Sequence, residues 1–387
     1  MDNHGTDDAA FADTPTQSDR SATAPQTVVV STGIQRDTPP SDGSVTSTDP
    51  SGRLKFRPDE PAMDPAIDTI QPGGGVVMSI ELAWGRLRRT YLRLFRSGYV
   101  QRMKSHRQGE RGPMPFEPLD PRDVKFFRNQ PTYWWAEADD PFRWRDAIPF
   151  VRVGLAELIV MGGGFLALGL LALLVPMPWG GLIAAVFFVL AGLVAWFFRD
   201  PPRAVPETSG TIVSPADGKL VQIETVDDPD LGRCVQFGIF LSIFNVHANR
   251  ASLAGRVEAI RYRPGKMLNA LRPESARENE NLDVVLRPDV LPNRLIRIRQ
   301  ITGAFARRIV CWVQPGDVLE RGEMYGMIKL GSRTELLIPE TETLEIVAQV
   351  GDRIAAGSDV LARYATRLGD ESDSSIQTNG SRSVTTG

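Results

Sequence analysis

The rhythm of apolar and polar positions changes several times along the chain. Residues 1–75 are rich in Asp, Thr, Ser and Pro, with Phe11 and Phe56 as the aromatics. Such a stretch cannot bury enough apolar surface to offset chain entropy, so a disordered leader is predicted. Met78, just past Gly73-Gly74-Gly75, opens the first structured pattern and is an alternative chain start. There Ile80, Trp84, Leu87, Tyr91 and Leu94 recur at three- and four-residue steps and share one helix face. Arg86, Arg88, Arg89, Arg93 and Arg96 cover the rest. A basic amphipathic helix with aromatics reads as a binder of an anionic lipid surface. The competing reading is a helix packed on the protein with a solvated basic face. Residues 109–150, with many Pro, Trp and Phe, read as an irregular connector that completes a 76–150 unit.

Residues 158–198 then hold forty-one positions without a charge. One membrane-crossing helix needs about 20. Pro176-Met177-Pro178-Trp179-Gly180-Gly181 breaks the run, which predicts a helical hairpin, 154–175 and 181–198, within a 151–200 unit. Arg143, Arg145 and Arg152 precede it, and Arg199 and Arg203 follow, so both flanks are expected on the cytoplasmic side. Spanning and re-entrant hairpins fit equally. From Thr211 onward, short β-branched runs alternate with Gly, Pro and Asp, and residues 201–368 read as strands. Gly316-Asp317 and Gly351-Asp352 each precede a short apolar step and another Gly, similar to the turns of biotinyl/lipoyl-type barrel-sandwich domains. The fold class expected is mainly β, barrel-sandwich or hybrid-like, preceded by the hairpin and the basic helix. Residues 265–281 are polar and aperiodic, and 369–387 read as a disordered tail.

With 42% hydrophobic and 24% charged residues, a packed core is affordable. A net charge of −3 argues against nucleic acid as a partner. Cys234 and Cys311 have no CxxC spacing and read as buried reduced thiols.

The candidate chemistry lies in four segments. Gly331-Ser332 sits between strand-like runs at 324–330 and 334–338, and alone is ordinary turn chemistry. The others are Ser214-Pro215-Ala216-Asp217-Gly218-Lys219, Phe244-Asn245-Val246-His247 and Arg307-Arg308-Ile309-Val310-Cys311. The chain has three histidines, His4, His106 and His247, so His247 is the imidazole of the β-rich region. Asp217 alone reads as an Asp-Gly turn, and Lys219 as a surface residue.

In this order the four segments resemble the phosphatidylserine decarboxylases, in their short proteobacterial-type form, over residues 148–365. The resemblance implies an enzyme, a carboxy-lyase, that converts phosphatidylserine to phosphatidylethanolamine and CO2 through a Schiff base to a pyruvoyl group. That group would be self-generated at Ser332 by cleavage after Gly331, giving a β chain (1–331) and an α chain (332–387). No metal is required. The resemblance implies a relay of Asp217, His247 and Ser332. Arg250 suits either the substrate carboxylate or phosphate or a surface ion pair, and Arg333, next to Ser332, either an anionic head group or solvent. Long-form members carry two His three positions apart; here Phe244 stands where the first would be. An inner-membrane enzyme with its catalytic region on the cytoplasmic face is implied, and homo-oligomerisation stays open. Competing readings are a decarboxylase of a related serine phospholipid such as archaetidylserine, and a non-enzymatic membrane-anchored lipoyl-like carrier.

Overall fold

The structure, a computed structural model, describes residues 63–365 apart from 73–75, 110–113, 132, 177, 271, 273, 305–307 and 330. The β-branched runs after Thr211 form β1 (Thr211–Val213), β2 (Gly218–Asp228), β3 (Gly232–Leu241), β4 (Ala248–Arg250), β5 (Gly255–Arg263), β6 (Asn281–Pro288) and β7 (Ile296–Thr302). They continue as β8 (Arg308–Cys311), β9 (Val318–Leu319), β10 (Met324–Lys329), β11 (Ser332–Pro339), β12 (Leu344–Ile346), β13 (Arg353–Ile354) and β14 (Val360–Tyr364). Eight strands, in the order β13-β2-β3-β11-β7-β6-β5-β9, curl into a half-barrel. Two three-stranded sheets, β1-β14-β12 and β4-β10-β8, complete the mainly-β fold that the strand pattern predicts.

Side chains alternate across a strand, so each half-barrel strand serves two environments. Phe237, Ile239, Leu282, Val284, Ile296, Ile298, Leu336 and Ile338 point into one apolar core. The intervening positions carry buried ion pairs. Arg299 Nε donates to Asp283 at 2.6 Å, and Arg333 Nε to Glu335 at 2.8 Å. The two Gly-Asp repeats close alike: Asp317 accepts from the Gln314 N–H at 2.9 Å and Asp352 from the Gln349 N–H at 2.8 Å. Gly316 and Gly351 take φ of +93° and +109°, which glycine adopts without strain.

The leader prediction needs correcting at residues 63–72. Ile67 and Ile70 are buried in the two main apolar clusters. The Cys311 N–H donates to the Ile70 carbonyl at 2.8 Å, and the Tyr262 N–H to Asp64 at 2.8 Å. Two isoleucines three residues apart suffice to anchor an otherwise polar stretch once sheet edges offer backbone partners. The fold therefore uses residues ahead of Met78. The rest of the predicted leader and the predicted tail from 369 lie outside the described residues.

The amphipathic pattern does form α1 (Val76–Phe95), followed by α2 (Ser97–His106). Its orientation is the reverse of a helix packed by its apolar stripe. Arg88 pairs with Asp120 at 2.9 Å and with Asp123, and Arg89 lies 3.5 Å over the Phe116 ring. Ile80, Trp84, Leu87, Tyr91 and Leu94 all face outward, each about half exposed or more. Arg88 and Arg89 thus face the protein, while Arg86, Arg93 and Arg96 stay exposed.

The uncharged run forms α3 (Leu155–Glu157), a π-helical turn (Leu158–Gly162), α4 (Gly163–Leu174) and, after the Pro-Gly break, α5 (Gly180–Phe197). Arg152–Leu174 and Gly180–Phe197 are each long and apolar enough to cross a membrane. The arms touch through Gly169, where an added Cβ would come within 2.5 Å of the Phe188 ring. Most of their outer face, including Leu166, Leu170, Val186 and Val189, meets no protein. Besides small residues where the arms meet, such as Gly169 and Ala184, burial is concentrated at the hairpin base. There Val151, Val153, Phe197 and Phe198 join Val246, Ala248, Val310 and Met327 in one cluster. Glu157 enters the same base and pairs with the buried Lys329.

Candidate active site at the junction of two sheets

The chain changes sheets at Gly331. Strand β10 lies between β4 and β8, with Met327 opposite Ala248 and Lys329 opposite Arg308. Strand β11 lies at the centre of the half-barrel, with Ser332 opposite both Leu241 and Thr302. A crossover of so few residues needs a sharp reversal, and Gly331 supplies it with φ +58°. Nothing lies within 4 Å of where a Cβ would be, so the demand on this glycine is purely conformational. Its carbonyl is confined on one side. A Cβ added to Gly303 would come within 2.3 Å of the Gly331 oxygen.

Ser332 is fully buried, and among the described residues its Oγ has no hydrogen-bond partner. A buried hydroxyl usually finds one, so an unpaired Oγ beside the confined Gly331 carbonyl marks a candidate reactive position. The Gly331 N–H donates to His247 Nε2 at 3.2 Å. The other ring nitrogen of His247 donates to the Asn245 carbonyl at 2.9 Å, which leaves Nε2 as the acceptor. Asn245 is itself held: its side-chain oxygen accepts from the Ser242 N–H at 2.9 Å and from Ser242 Oγ at 2.7 Å. The imidazole is fully buried, with the Phe197 ring centred 4.5 Å away. Burial pushes its pKa down to about 4, and nearby Arg199 pushes the same way against the Asn245 bond. His247 is therefore neutral at pH 7, with its lone pair on the peptide that precedes the candidate scissile bond.

Asp217 is placed at the same end of the half-barrel, but not on His247. Its carboxylate accepts from the Ala356 N–H at 2.7 Å and pairs with Arg203 at 2.9 Å. The expected Asp217–His247–Ser332 relay is thus not a chain of direct hydrogen bonds. Arg250, expected at the substrate, instead pairs with Asp200 at 2.7 Å and donates to the Gly322 carbonyl at 2.9 Å. Arg333 is also redirected. Strand alternation turns it away from the Ser332 face, and its guanidinium is consumed by Glu335 and Gln222. Lys219 is exposed, as expected. Both thiols are buried and free, with pKa values raised by desolvation to about 11 for Cys234 and about 12 for Cys311.

Residues 196–203, just past the hairpin, make contacts that sequence reasoning missed. Phe197 touches His247, Trp196 Nε1 and Arg199 donate to the Phe244 carbonyl, Asp200 holds Arg250, and Arg203 holds Asp217. The available signal was Phe197-Phe198-Arg199-Asp200-Pro201-Pro202-Arg203, dense in aromatic and charged groups, which served only to orient the hairpin. Asn249 was missed too. It donates to Thr334 Oγ1 at 3.0 Å and accepts from Gln300 at 2.9 Å, joining the two sheets behind Ser332.

A family model described as phosphatidylserine decarboxylase matches residues 190–362. The chain is 64% identical over 241 residues to the phosphatidylserine decarboxylase proenzyme of Rhodopirellula baltica, covering 62% of this chain and 99% of that protein. It is 39% identical over 184 residues to the proenzyme of Desulfotalea psychrophila, covering 47% of this chain and 84% of the relative. It is 40% identical over 213 residues to that of Carboxydothermus hydrogenoformans, covering 53% and 97%. With a relative matched along nearly its whole length at that identity, the chain belongs to the phosphatidylserine decarboxylase family.

Proposed function

We propose that this chain is a proenzyme that cuts itself between Gly331 and Ser332, then decarboxylates phosphatidylserine to phosphatidylethanolamine and CO2. The observation that carries the reading is the unpartnered, buried Ser332 Oγ beside the positive-φ Gly331, with a neutral His247 on the same turn. In self-cleavage, Ser332 Oγ adds to the Gly331 carbonyl carbon, the C–N bond breaks and an ester forms. Loss of the Ser332 α-proton then expels Gly331 as a carboxylate. The dehydroalanine left at 332 tautomerises and takes up water, releasing ammonia and leaving a pyruvoyl terminus. The buried, unpaired Oγ of Ser332 among the described residues supports that role for position 332. Once formed, the pyruvoyl carbonyl supplies the electrophile and electron sink that decarboxylation of an amino acid needs.

The remaining roles belong to side chains already in place. His247 Nε2 can take the Ser332 hydroxyl proton when it leaves the Gly331 N–H. With Phe244 where long-form relatives carry the first of their two His, His247 also returns a proton to the substrate α-carbon. Asp217 acts through Arg203, fixing the segment whose Arg199 and Phe197 border His247. The apolar hairpin and the outward stripe of α1 support a membrane-associated enzyme, and the basic flanks support a catalytic region on the cytoplasmic face.

Removing a general acid–base costs roughly 10²–10⁴-fold. His247→Ala should therefore lose decarboxylation by about that factor and slow cleavage, while Asp217→Ala should mainly leave unprocessed protein. Gel analysis of chain splitting, scored apart from CO2 release, separates the two. A His247→Ala enzyme running at the wild-type rate would remove the residue from the mechanism.

Cleavage should respond to pH through the same ring. A neutral Nε2 accepts a proton and a protonated one cannot. Because the folded pKa is about 4, the splitting rate of fresh precursor should hold from pH 8 to pH 5 and fall through about 4. The linked stability runs the same way: present above the unfolded pKa of about 6.5, lost as pH falls toward the folded value. A rate midpoint at the unfolded value would show instead that the reacting imidazole is solvated.

Gly303→Ala tests the geometry at the carbonyl. No positive φ protects Gly303, so alanine suits its backbone, yet the new methyl would crowd the Gly331 oxygen at 2.3 Å. The variant should fold, by circular dichroism and melting, and accumulate as the uncut precursor. Normal splitting would show that the attacked carbonyl does not pack against Gly303.

A further inference from the structure

Both arginines expected to meet the anionic lipid are consumed internally, which leaves open what receives its phosphate. Arg203, Arg250 and Arg333 each pair with a carboxylate. Arg199 differs. Among the described residues its hydrogen bonds go to carbonyls, to Trp196 at 2.6 Å and Phe244 at 3.1 Å. Two of its five N–H donors are thus used, and its charge is not neutralised by a contacting acid. The side chain is partly exposed and lies 3.9 Å over the Trp196 ring, itself half exposed.

Its position matches the depth of a phospholipid head group. Arg199 directly follows α5, where an apolar span ends, and Trp at such an end favours the membrane–water interface. It also reaches the chemistry. The Phe244 carbonyl it holds belongs to the loop that ends in His247, and its charge is felt by both His247 and Asp217. From the opposite side, Ile243 and Phe244 present an exposed apolar tip next to Trp196. Exposed apolar side chains of Trp196, Ile243 and Phe244 thus lie around one available guanidinium, whose loop partner leads to the buried imidazole.

We infer that Arg199 is the substrate-binding residue that grips the phosphodiester of the lipid head group and sets its serine against residue 332. This inference rests on the decarboxylase reading above. The phosphate is favoured over the serine carboxylate on energetic grounds. A strong pair with the departing carboxylate would stabilise the ground state and oppose loss of CO2, whereas the phosphate keeps its charge throughout. A planar fork also suits two phosphate oxygens.

The test uses full-length protein in detergent micelles, as wild type, R199A and R199K. Chain splitting is scored first, then KM and kcat for phosphatidylserine. Binding of dihexanoyl phosphatidylethanolamine, which has the phosphodiester but no carboxylate, is measured by calorimetry. R199A should split normally, raise KM roughly tenfold or more and weaken this binding in parallel, with R199K intermediate. Unchanged KM and binding would overturn the inference. So would loss of splitting, which would make Arg199 a brace for the His247 loop. A raised KM with unchanged phosphatidylethanolamine binding would assign the guanidinium to the carboxylate instead, and overturn it too. Should R199A not fold, R199K and R199Q carry the same comparison. Wild-type protein that neither splits nor releases CO2 would defeat the decarboxylase reading, while the binding comparison would still decide the role of Arg199.

Discussion

One peptide unit is held from both sides by different sheets, and the rest of the site follows from that. Strand β10 is pinned in the small sheet through Lys329, and β11 is pinned at the centre of the half-barrel from Ser332 onward. The reversal between them is absorbed at Gly331. A chain fixed so closely on either side of a turn cannot relax by sliding a strand, because a one-residue slip would turn buried faces outward. The Gly331 carbonyl therefore stays against Gly303, and Ser332 Oγ stays in the interior without a partner. Neutral His247 completes the arrangement, since burial that keeps it uncharged also leaves it able to accept a proton.

The apolar hairpin is built into this centre. The hairpin base packs its apolar residues on the His247 side of the small sheet. Glu157 meets Lys329, two residues before the turn, from the first arm. The segment leaving the second arm touches His247, the Phe244 carbonyl, Arg250 and Asp217 in succession. The same apolar element thus braces both ends of the candidate site.

Local patterning made part of this legible. The uncharged run, the strand rhythm after Thr211 and the paired Gly-Asp turns each report on neighbours in sequence, and each formed as expected. The Gly331-Ser332 pair needed the other segments to rise above ordinary turn chemistry. What stayed hidden was long-range. Ile67 and Ile70 looked too sparse to fold until sheet edges supplied their backbone partners. The helical period of α1 gave its two faces but not which faces the protein; Asp120 and Asp123, over twenty-five residues away from Arg88, decide that. Arg250 and Arg333 were reasonable cations for an anionic lipid, yet their partners Asp200 and Glu335 claim them. The carrier-domain reading, which rested on the Gly-Asp turns alone, gives way to family membership.

In the proposed self-cleavage Ser332 becomes the amino terminus of a separate chain. Intact mass spectrometry of the purified protein, under denaturing conditions without reductive treatment, tests it most directly. The account predicts two species, residues 1–331 and 332–387, the second lighter by one ammonia than the same fragment beginning with serine. A single uncut mass in a preparation that releases CO2 from phosphatidylserine would contradict it.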